Sequence, residues 1–265
     1  MGSNPVKEAL ARGEAVVGTM LGEWASPGVC RVVREAGYDF VIFDTEHQWP
    51  GLETVAWLMR TARDIGLQAY VRAPAFRGQW PARYLDLGCD GLIFPHVESG
   101  EQVQAIVDQV KFAPMGRRGL GTNIAHDDYS AEPAAEFTRR RNDETVVAVQ
   151  IETATGLERR EEILAVEGID AVFIGPNDLS LSLGIPGQLD DSRVVGAIEE
   201  IFAAAQQAGV APGMHAFDVE MSLKCLDAGC RFLCFASEVA LFVRGSREAL
   251  GIIRGHEAVG EGVYL

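Results

Sequence analysis

Lysine is nearly absent from this sequence, and its scarcity excludes one kind of chemistry. Only three lysines occur among the 265 residues. Lys7 precedes the first predicted strand, Lys111 follows a predicted helix, and Lys224 falls inside another. A Schiff-base enzyme needs a desolvated lysine within its site. None of these lysines is placed for that role, so a carbanion or enolate formed here would need a metal ion as its electron sink.

Basic residues in general are outnumbered, which argues against a nucleic-acid partner. The chain has 23 Lys and Arg against 38 Asp and Glu, a formal net charge of -15 at pH 7. Such a surface repels phosphate backbones. The segment Met1–Arg12 has no signal-peptide core, and no run is long enough to span a membrane, so we predict no membrane association.

Cysteine is also sparse, and its pattern is not that of a disulfide framework or a metal site. The chain has five cysteines, an odd number, and no pair has metal-ligand spacing. Several of them fall within apolar runs. We therefore predict reduced core cysteines in a cytoplasmic protein.

Short β-branched or aromatic runs alternate with amphipathic segments from end to end. This alternation predicts a parallel sheet with helices between its strands. No glycine-rich dinucleotide fingerprint follows the first strand, and the number of units favours closure. A barrel of this kind takes ~250 residues as one domain. We predict an α/β fold, a (β/α)8 TIM barrel forming a single domain over residues 1–265. The predicted strands are Ala15–Met20, Phe40–Asp44, Gln68–Arg72, Gly91–Pro95, Val146–Glu152, Ala171–Ile174, Val210–Met214 and Phe232–Ala236.

Polar side chains stand where several predicted strands end. His47 follows the second strand, Arg72 ends the third, and Gln150 and Glu152 end the fifth, while Asp178 follows the sixth. Active sites of parallel barrels lie at the carboxyl ends of their strands. Two carboxylates from separate strand ends suit a hard divalent cation and leave coordination sites for a chelating substrate. The pattern predicts a metal-assisted enzyme.

Each of these residues also has a purely structural interpretation. Asp178 could serve merely as a helix cap, and Glu152 could serve merely as a salt-bridge partner. Arg72 could pair with a carboxylate and still bind substrate. Asp44 could orient the imidazole of His47 and raise its basicity. The remaining histidines near strand ends or in loops are more often satisfied polar groups than catalysts, and they receive no role: His96, His126 and His215.

Several ordered segments resemble one known family. They are Phe43–His47, Tyr70–Arg72, Arg117–Gly119, Val149–Thr153 and Phe173–Ser180. In this order, and at these barrel positions, they resemble the HpcH/HpaI aldolases. Those enzymes are metal-dependent pyruvate aldolases of the phosphoenolpyruvate/pyruvate barrel type. The resemblance runs from about Val16 to Leu250.

The resemblance implies an activity and a metal. It implies a class II aldolase that cleaves a 4-hydroxy-2-oxo acid into pyruvate and an aldehyde, or runs the reverse addition, through a metal-stabilised enolate. It implies that Glu152 and Asp178 ligate the cation, which would be Mg2+, Mn2+ or Co2+. It also implies that Arg72 and Gln150 hold the 2-oxo acid, and that His47, supported by Asp44, transfers protons.

The start of the helix after the sixth strand is expected to contribute to substrate binding. It comprises Pro176, Asn177 and Asp178. Proline lacks a backbone N–H, so those of the other two residues are the ones that could meet the substrate carboxylate.

The resemblance further implies a homo-oligomer, a homohexamer, in which the helix Glu238–Leu250 packs on a neighbouring subunit. The other interpretation is an eighth barrel helix on its own core. Met20, Asn177 and Met214–Ala216 depart from the family pattern. We expect these positions and the loop Thr122–Ser130 to line the aldehyde side, so the aldehyde stays open.

Two other functions fit the same residues. One is a related metal-enolate condensing enzyme, citrate-synthase-like or decarboxylating. The other is a non-catalytic 2-oxo acid binding protein, since a fold alone does not define a function.

Overall fold

Parallel strands joined in sequence order form the centre of the molecule. The computed structural model describes residues 4–48, 51–130 and 132–255, so the ends of the predicted domain lie outside the described residues. Each strand pairs with the next, and the last pairs with the first, closing an eight-stranded barrel. The predicted (β/α)8 barrel is therefore confirmed. The strands are β1 (Val16–Leu21), β2 (Phe40–Asp44), β3 (Gln68–Arg72), β4 (Gly91–Phe94), β5 (Val146–Gln150), β6 (Ala171–Ile174), β7 (Ala211–Ala216) and β8 (Phe232–Ser237).

Helices occupy the connections and surround the barrel. They are α1 (Pro5–Ala11), α2 (Gly28–Glu35), α3 (Leu52–Asp64), α4 (Trp80–Asp86), α5 (Gly100–Val110), a 3₁₀ turn (Ala125–Asp127), α6 (Ala134–Glu144), α7 (Ala154–Glu158), α8 (Arg160–Leu164), α9 (Pro176–Ser182), α10 (Ser192–Ala208), α11 (Val219–Asp227) and α12 (Glu238–Ile253). No helix of the described ranges is long and apolar enough to cross a membrane.

The predicted strand bounds hold for β2, β3 and β6 and shift by one or two residues elsewhere. Two shifts bear on the site. Strand β5 ends at Gln150, so Glu152 lies just beyond the strand and not within it. Strand β7 continues to Ala216, so His215 lies inside the strand.

Aromatic rings fill the barrel interior. Phe40 stacks on Phe232 with ring centroids 4.5 Å apart, and Tyr70 meets both rings edge-on. Gly18 is required beside them, because a Cβ there would overlap the Phe40 ring. A second apolar layer lies between the strands and the helices. The filled interior fixes the strand ends, and therefore the side chains that those ends carry.

The three lysines lie away from the carboxyl ends of the strands, as predicted. Lys111 is buried and donates to the carbonyls of Asn142 and Thr145, just before β5 begins. Lys7 pairs with Asp170, which precedes β6. Lys224 pairs with Glu220 along the surface of α11.

Candidate active site

Two neighbouring strands end in a buried ion pair. Asp44 ends β2 and Arg72 ends β3, and the two residues are register partners across the sheet. Arg72 donates from Nε to Oδ1 of Asp44 at 2.9 Å and from Nη2 to Oδ2 at 2.8 Å. Burial alone would raise the pKa of Asp44, but the bonds and charge of Arg72, together with backbone N–H groups of Glu46 and His47, outweigh it and hold the pKa below its usual value. The pair therefore keeps the guanidinium rigid at the barrel rim.

The same aspartate organises the turn after β2. Oδ1 of Asp44 accepts from the backbone N–H of Glu46 at 3.0 Å and from that of His47 at 3.5 Å. We expected Asp44 to orient the imidazole of His47. The structure gives the carboxylate to Arg72 and to the backbone instead, so any support for His47 passes through the main chain. The His47 ring is half exposed, and its Nε2 lies 3.8 Å from Oε2 of Glu46.

The chain just beyond β5 supplies a carboxylate that is fully buried. Glu152 is 0% exposed, and Gln150, also buried, donates to its Oε2. Burial raises the pKa of Glu152, although the bond from Gln150 opposes that rise. Gly175, at the end of β6, lies directly against this carboxylate, because a Cβ there would collide with Oε2. The chain therefore brings the start of α9 next to Glu152.

His96, which follows β4, completes a cluster with two carboxylates. Its Nδ1 lies 3.2 Å from Oε1 of Glu152, and its Nε2 lies 3.2 Å from Oε1 of Glu46. The backbone N–H of His96 also donates to Oε1 of Glu152 at 2.8 Å. His96 has a left-handed backbone with φ of 54°. Such strain in a non-glycine residue is concentrated at functional sites.

The donor set of this cluster fits a divalent cation. One ligand atom from each of Glu46, His96 and Glu152 lies within 4.8 Å of the others. Oε2 of Glu46 and Oε1 of Gln150 are buried and accept no hydrogen bond within the described part of the chain. Burial raises the pKa of Glu46, with Arg72 opposing the rise. Clustered carboxylates are costly to bury unless hydrogen bonds or cations satisfy them, and Nε of Arg72, 3.2 Å from Oε2 of Glu46, supplies only part of that positive charge.

The remaining predicted site residues lie in the first turn of α9. Pro176 is its first residue, followed by Asn177 and Asp178. Asp178 does not belong to the three-residue cluster found among the described residues. Its proposed part in metal binding, and the contribution of this turn to substrate binding, stay predictions.

Other polar residues at strand ends have structural partners. Glu238 is buried and accepts from the backbone N–H groups of Gly22, Glu23 and Trp24, which holds the turn after β1. His215 bonds the carbonyl of Ala236 through Nε2 at 3.1 Å, and burial lowers its pKa to about 4. Its imidazole is therefore neutral at pH 7, with the proton on Nε2.

The loop expected to line the aldehyde side is placed elsewhere in this chain. His126 bonds Arg118 through Nδ1, and Arg118 pairs with Asp86 at the end of α4. Arg63, at the end of α3, donates to Asp128. Arg63 and Asp86 lie at the ends of the helices that lead into β3 and β4. Their contacts with the loop are therefore at the end of the barrel opposite Glu152.

The sequence analysis missed two members of the cluster. Glu46 stood in the segment after β2 without an assigned role, and His96 was set aside as a satisfied polar residue. The available signal was position: each follows a strand that enters the same rim as Glu152. What could not be read was their distance from one another.

Comparison with known proteins identifies relatives over nearly the whole chain. The profile of the HpcH/HpaI aldolase/citrate lyase family matches residues 23–245. A hydroxypyruvate/pyruvate aldolase of Roseovarius nubinhibens is 32% identical over 94% of this chain and 96% of its own. A 2-keto-3-deoxy-L-rhamnonate aldolase of Klebsiella pneumoniae is 31% identical over 97% of this chain and 95% of its own. The crystal structure of an HpcH/HpaI aldolase from Desulfitobacterium hafniense superposes with a TM-score of 0.90 at 32% identity, covering 96% of this chain and 98% of that one.

Proposed function

The chain belongs to the HpcH/HpaI aldolase/citrate lyase family, and from that membership we propose how its site works. The protein is a class II pyruvate aldolase, a carbon–carbon lyase. It cleaves a 4-hydroxy-2-oxo acid into pyruvate and an aldehyde, or joins them in reverse. The observation that carries this proposal is the fully buried Glu152 beside His96 and Glu46, at the rim where Arg72 also ends its strand.

Arg72 is proposed to hold the 2-oxo acid and its enolate. Asp44 accepts one hydrogen bond from Nε of Arg72 and one from Nη2, and the guanidinium has five N–H groups in all. The other donors can meet the substrate carboxylate and the 2-oxo oxygen, where negative charge develops as the carbon–carbon bond breaks. A donor already fixed by Asp44 needs no reorganisation at that moment. Gln150, at the end of β5, is proposed to bind the same end of the substrate.

His47 is proposed to move the proton of the 4-hydroxyl group. Its ring is half exposed at the rim, where a substrate can reach it. Asp44 acts as a positioning residue, because it fixes the backbone of the turn that carries His47. In cleavage the imidazole accepts the hydroxyl proton as the aldehyde carbonyl forms, and in the reverse direction it returns that proton.

Glu152 and Asp178 are proposed to hold a divalent cation, Mg2+, Mn2+ or Co2+. Oxygen ligands favour such hard ions, and Gly175 brings the turn that precedes Asp178 against Glu152. When bound, the cation supplies positive charge that favours the enolate form of the 2-oxo acid. Pro176 and Asn177 are proposed to form the neighbouring wall of the substrate site.

A pyruvate-release assay across a series of 4-hydroxy-2-oxo acids, with and without a chelator, tests this function. Chelation should abolish turnover, and Mg2+, Mn2+ or Co2+ should restore it. A borohydride-trapped adduct between pyruvate and the protein would refute the proposal, since it requires a Schiff base.

Two further assays, an acceptor screen and proton exchange, separate the alternatives. A condensing enzyme would consume pyruvate or oxaloacetate with an acceptor other than an aldehyde. A binding protein would not exchange the methyl protons of pyruvate with D2O. The relatives named as aldolases favour neither alternative.

We also propose a homohexamer that uses α12. Within this helix only Glu238 is buried, whereas α10 buries five residues. Phe242 is 61% exposed and Ile253 is 77% exposed, so α12 presents an apolar face to the outside of its own barrel. A second copy of the chain would cover that face. The free, buried cysteines are typical of a reducing compartment and support a cytoplasmic location.

A further inference from the structure

The position of His96 suggests a role that the carboxylates alone do not fill. Each of its ring nitrogens faces a carboxylate oxygen at 3.2 Å, Nδ1 toward Glu152 and Nε2 toward Glu46. A neutral imidazole carries one N–H, so only one of these contacts can be an ordinary hydrogen bond. The other places a nitrogen lone pair beside a carboxylate oxygen. That contact is repulsive unless a second proton or a metal cation lies between the two atoms.

We propose that Nδ1 of His96 ligates the divalent cation together with Glu152, and that Glu46 orients the ring by accepting the N–H of Nε2. This inference rests on the proposed metal site. Neighbouring ligands of an octahedral cation with bonds of ~2.1 Å stand ~3.0 Å apart. The 3.2 Å between Nδ1 and Oε1 of Glu152 is close to that spacing.

Glu46 fits the orienting role. A histidine that binds a metal almost always donates its other N–H to a carboxylate or carbonyl, which fixes the ring. Glu46 has a side chain only 9% exposed, and its Oε2 accepts no hydrogen bond from the residues that the structure describes. Oε2 lies 3.2 Å from Nε of Arg72, which holds the carboxylate in place while Oε1 faces His96.

The consequence is a preference among metals. An all-oxygen site suits Mg2+, whereas an imidazole nitrogen raises affinity for later first-row cations in the order Mn2+, Co2+, Ni2+. The protein should therefore bind Co2+ much more tightly than Mg2+, and His96 should be the source of most of that difference.

The test compares two histidine substitutions in the full chain, stripped of metal. His96→Gln removes the proposed ligand. His47→Gln is the matched control, because its ring is equally exposed, 53% against 54%, and also lies near Glu46. Calorimetry with Co2+ and with Mg2+ gives the affinities. We expect His96→Gln to lose about 10–100-fold in Co2+ affinity and less than about threefold in Mg2+ affinity. The control should keep both within about threefold.

A spectroscopic measurement gives a second, independent readout. Pulsed electron paramagnetic resonance of the Mn2+-loaded protein should show coupling to an imidazole nitrogen. That coupling should persist in His47→Gln and vanish in His96→Gln. Its absence from the unsubstituted protein would overturn the inference.

The calorimetric results also test whether His96 ligates the cation. No loss for either metal would mean that His96 is not a ligand, and equal losses for Co2+ and Mg2+ would refute the proposed metal preference. Tighter binding of both metals by His96→Gln would mean that the imidazole competes with the cation as an imidazolium, which also refutes ligation. If pyruvate release needs metal but Co2+ affinity survives His96→Gln, only this inference fails. If pyruvate release ignores chelation, the proposed function fails with it.

Discussion

Replacing Arg72 by alanine should damage both folding and catalysis, and pH can separate the two effects. The substitution removes both bonds to Asp44, whose carboxylate is 1% exposed. Breaking a buried ion pair by removing one partner costs about 3–5 kcal/mol, because the other charge stays buried without compensation. We expect a loss of stability of that size at pH 7, measured by urea denaturation.

The pH dependence follows from the direction of the Asp44 pKa. In the intact protein that pKa is lowered, so the pair contributes stability above the unfolded-state pKa of about 3.9 and loses it as the pH falls through the folded value. Without Arg72, burial dominates and raises the folded pKa, so the variant loses stability as the pH rises above about 3.9. The difference in unfolding free energy between the intact protein and the variant should therefore be large at pH 7 and should decrease as the carboxylate becomes protonated. A difference that stays constant down to low pH would show that Asp44 is not its cause.

The catalytic effect is measured by exchange of the pyruvate methyl protons with D2O. Losing one fixed donor to a developing oxyanion typically costs about 10²–10³ in rate. Arg72→Lys is the matched control, because it keeps the charge but cannot form the two parallel bonds to Asp44. We expect it to recover part of the stability and little of the exchange rate. Exchange by Arg72→Ala at nearly the rate of the intact enzyme would refute the reasoning and leave the arginine as a structural ion pair.

Four further outcomes are expected. His47→Ala should slow aldol cleavage about 10²–10⁴-fold and largely spare pyruvate proton exchange. If it instead lost activity in both assays, as Arg72→Ala should, the separate roles proposed for His47 and Arg72 would be contradicted. Glu152→Gln should lose calorimetric metal binding while keeping its circular dichroism, and normal binding would remove Glu152 from the ligands. Gly175→Ala should weaken metal binding at least about tenfold, because its Cβ would displace the Glu152 carboxylate, and an unchanged affinity would speak against that contact. Phe242→Glu should dissociate the oligomer in light scattering, whereas a monomer in the unsubstituted protein at micromolar concentration would refute the assembly itself.

Local sequence pattern was sufficient for most of the fold. The run Phe40–Asp44 is apolar up to its last residue, and the strand has those bounds. Strand bounds follow from such short-range patterns, because a strand buried on both faces needs nearly continuous apolar residues. The end of β5 was misplaced for a related reason. Glu152 follows an apolar run closely, and pattern alone does not show that the ladder stops at Gln150.

The candidate site was predictable as a set of residues but not as a set of contacts. Arg72 and Glu152 could be assigned to the same rim, because every strand of a parallel barrel directs its carboxyl end there. The partner of Asp44 was misjudged. His47 is close in sequence, but Arg72 is the register partner on the next strand, and its planar guanidinium meets both carboxylate oxygens.

The sequence by itself therefore determined the strand order, the absence of a usable lysine and the rim on which the chemistry stands, because each depends on residue type and short spacing. Only the tertiary structure decided that His96 lies between Glu46 and Glu152. Those residues are separated by 50 and 56 positions in the chain, and their distances depend on the register of β2 to β5 and on the left-handed backbone at His96. Barrel closure sets such distances through packing of the whole interior, which no local pattern encodes.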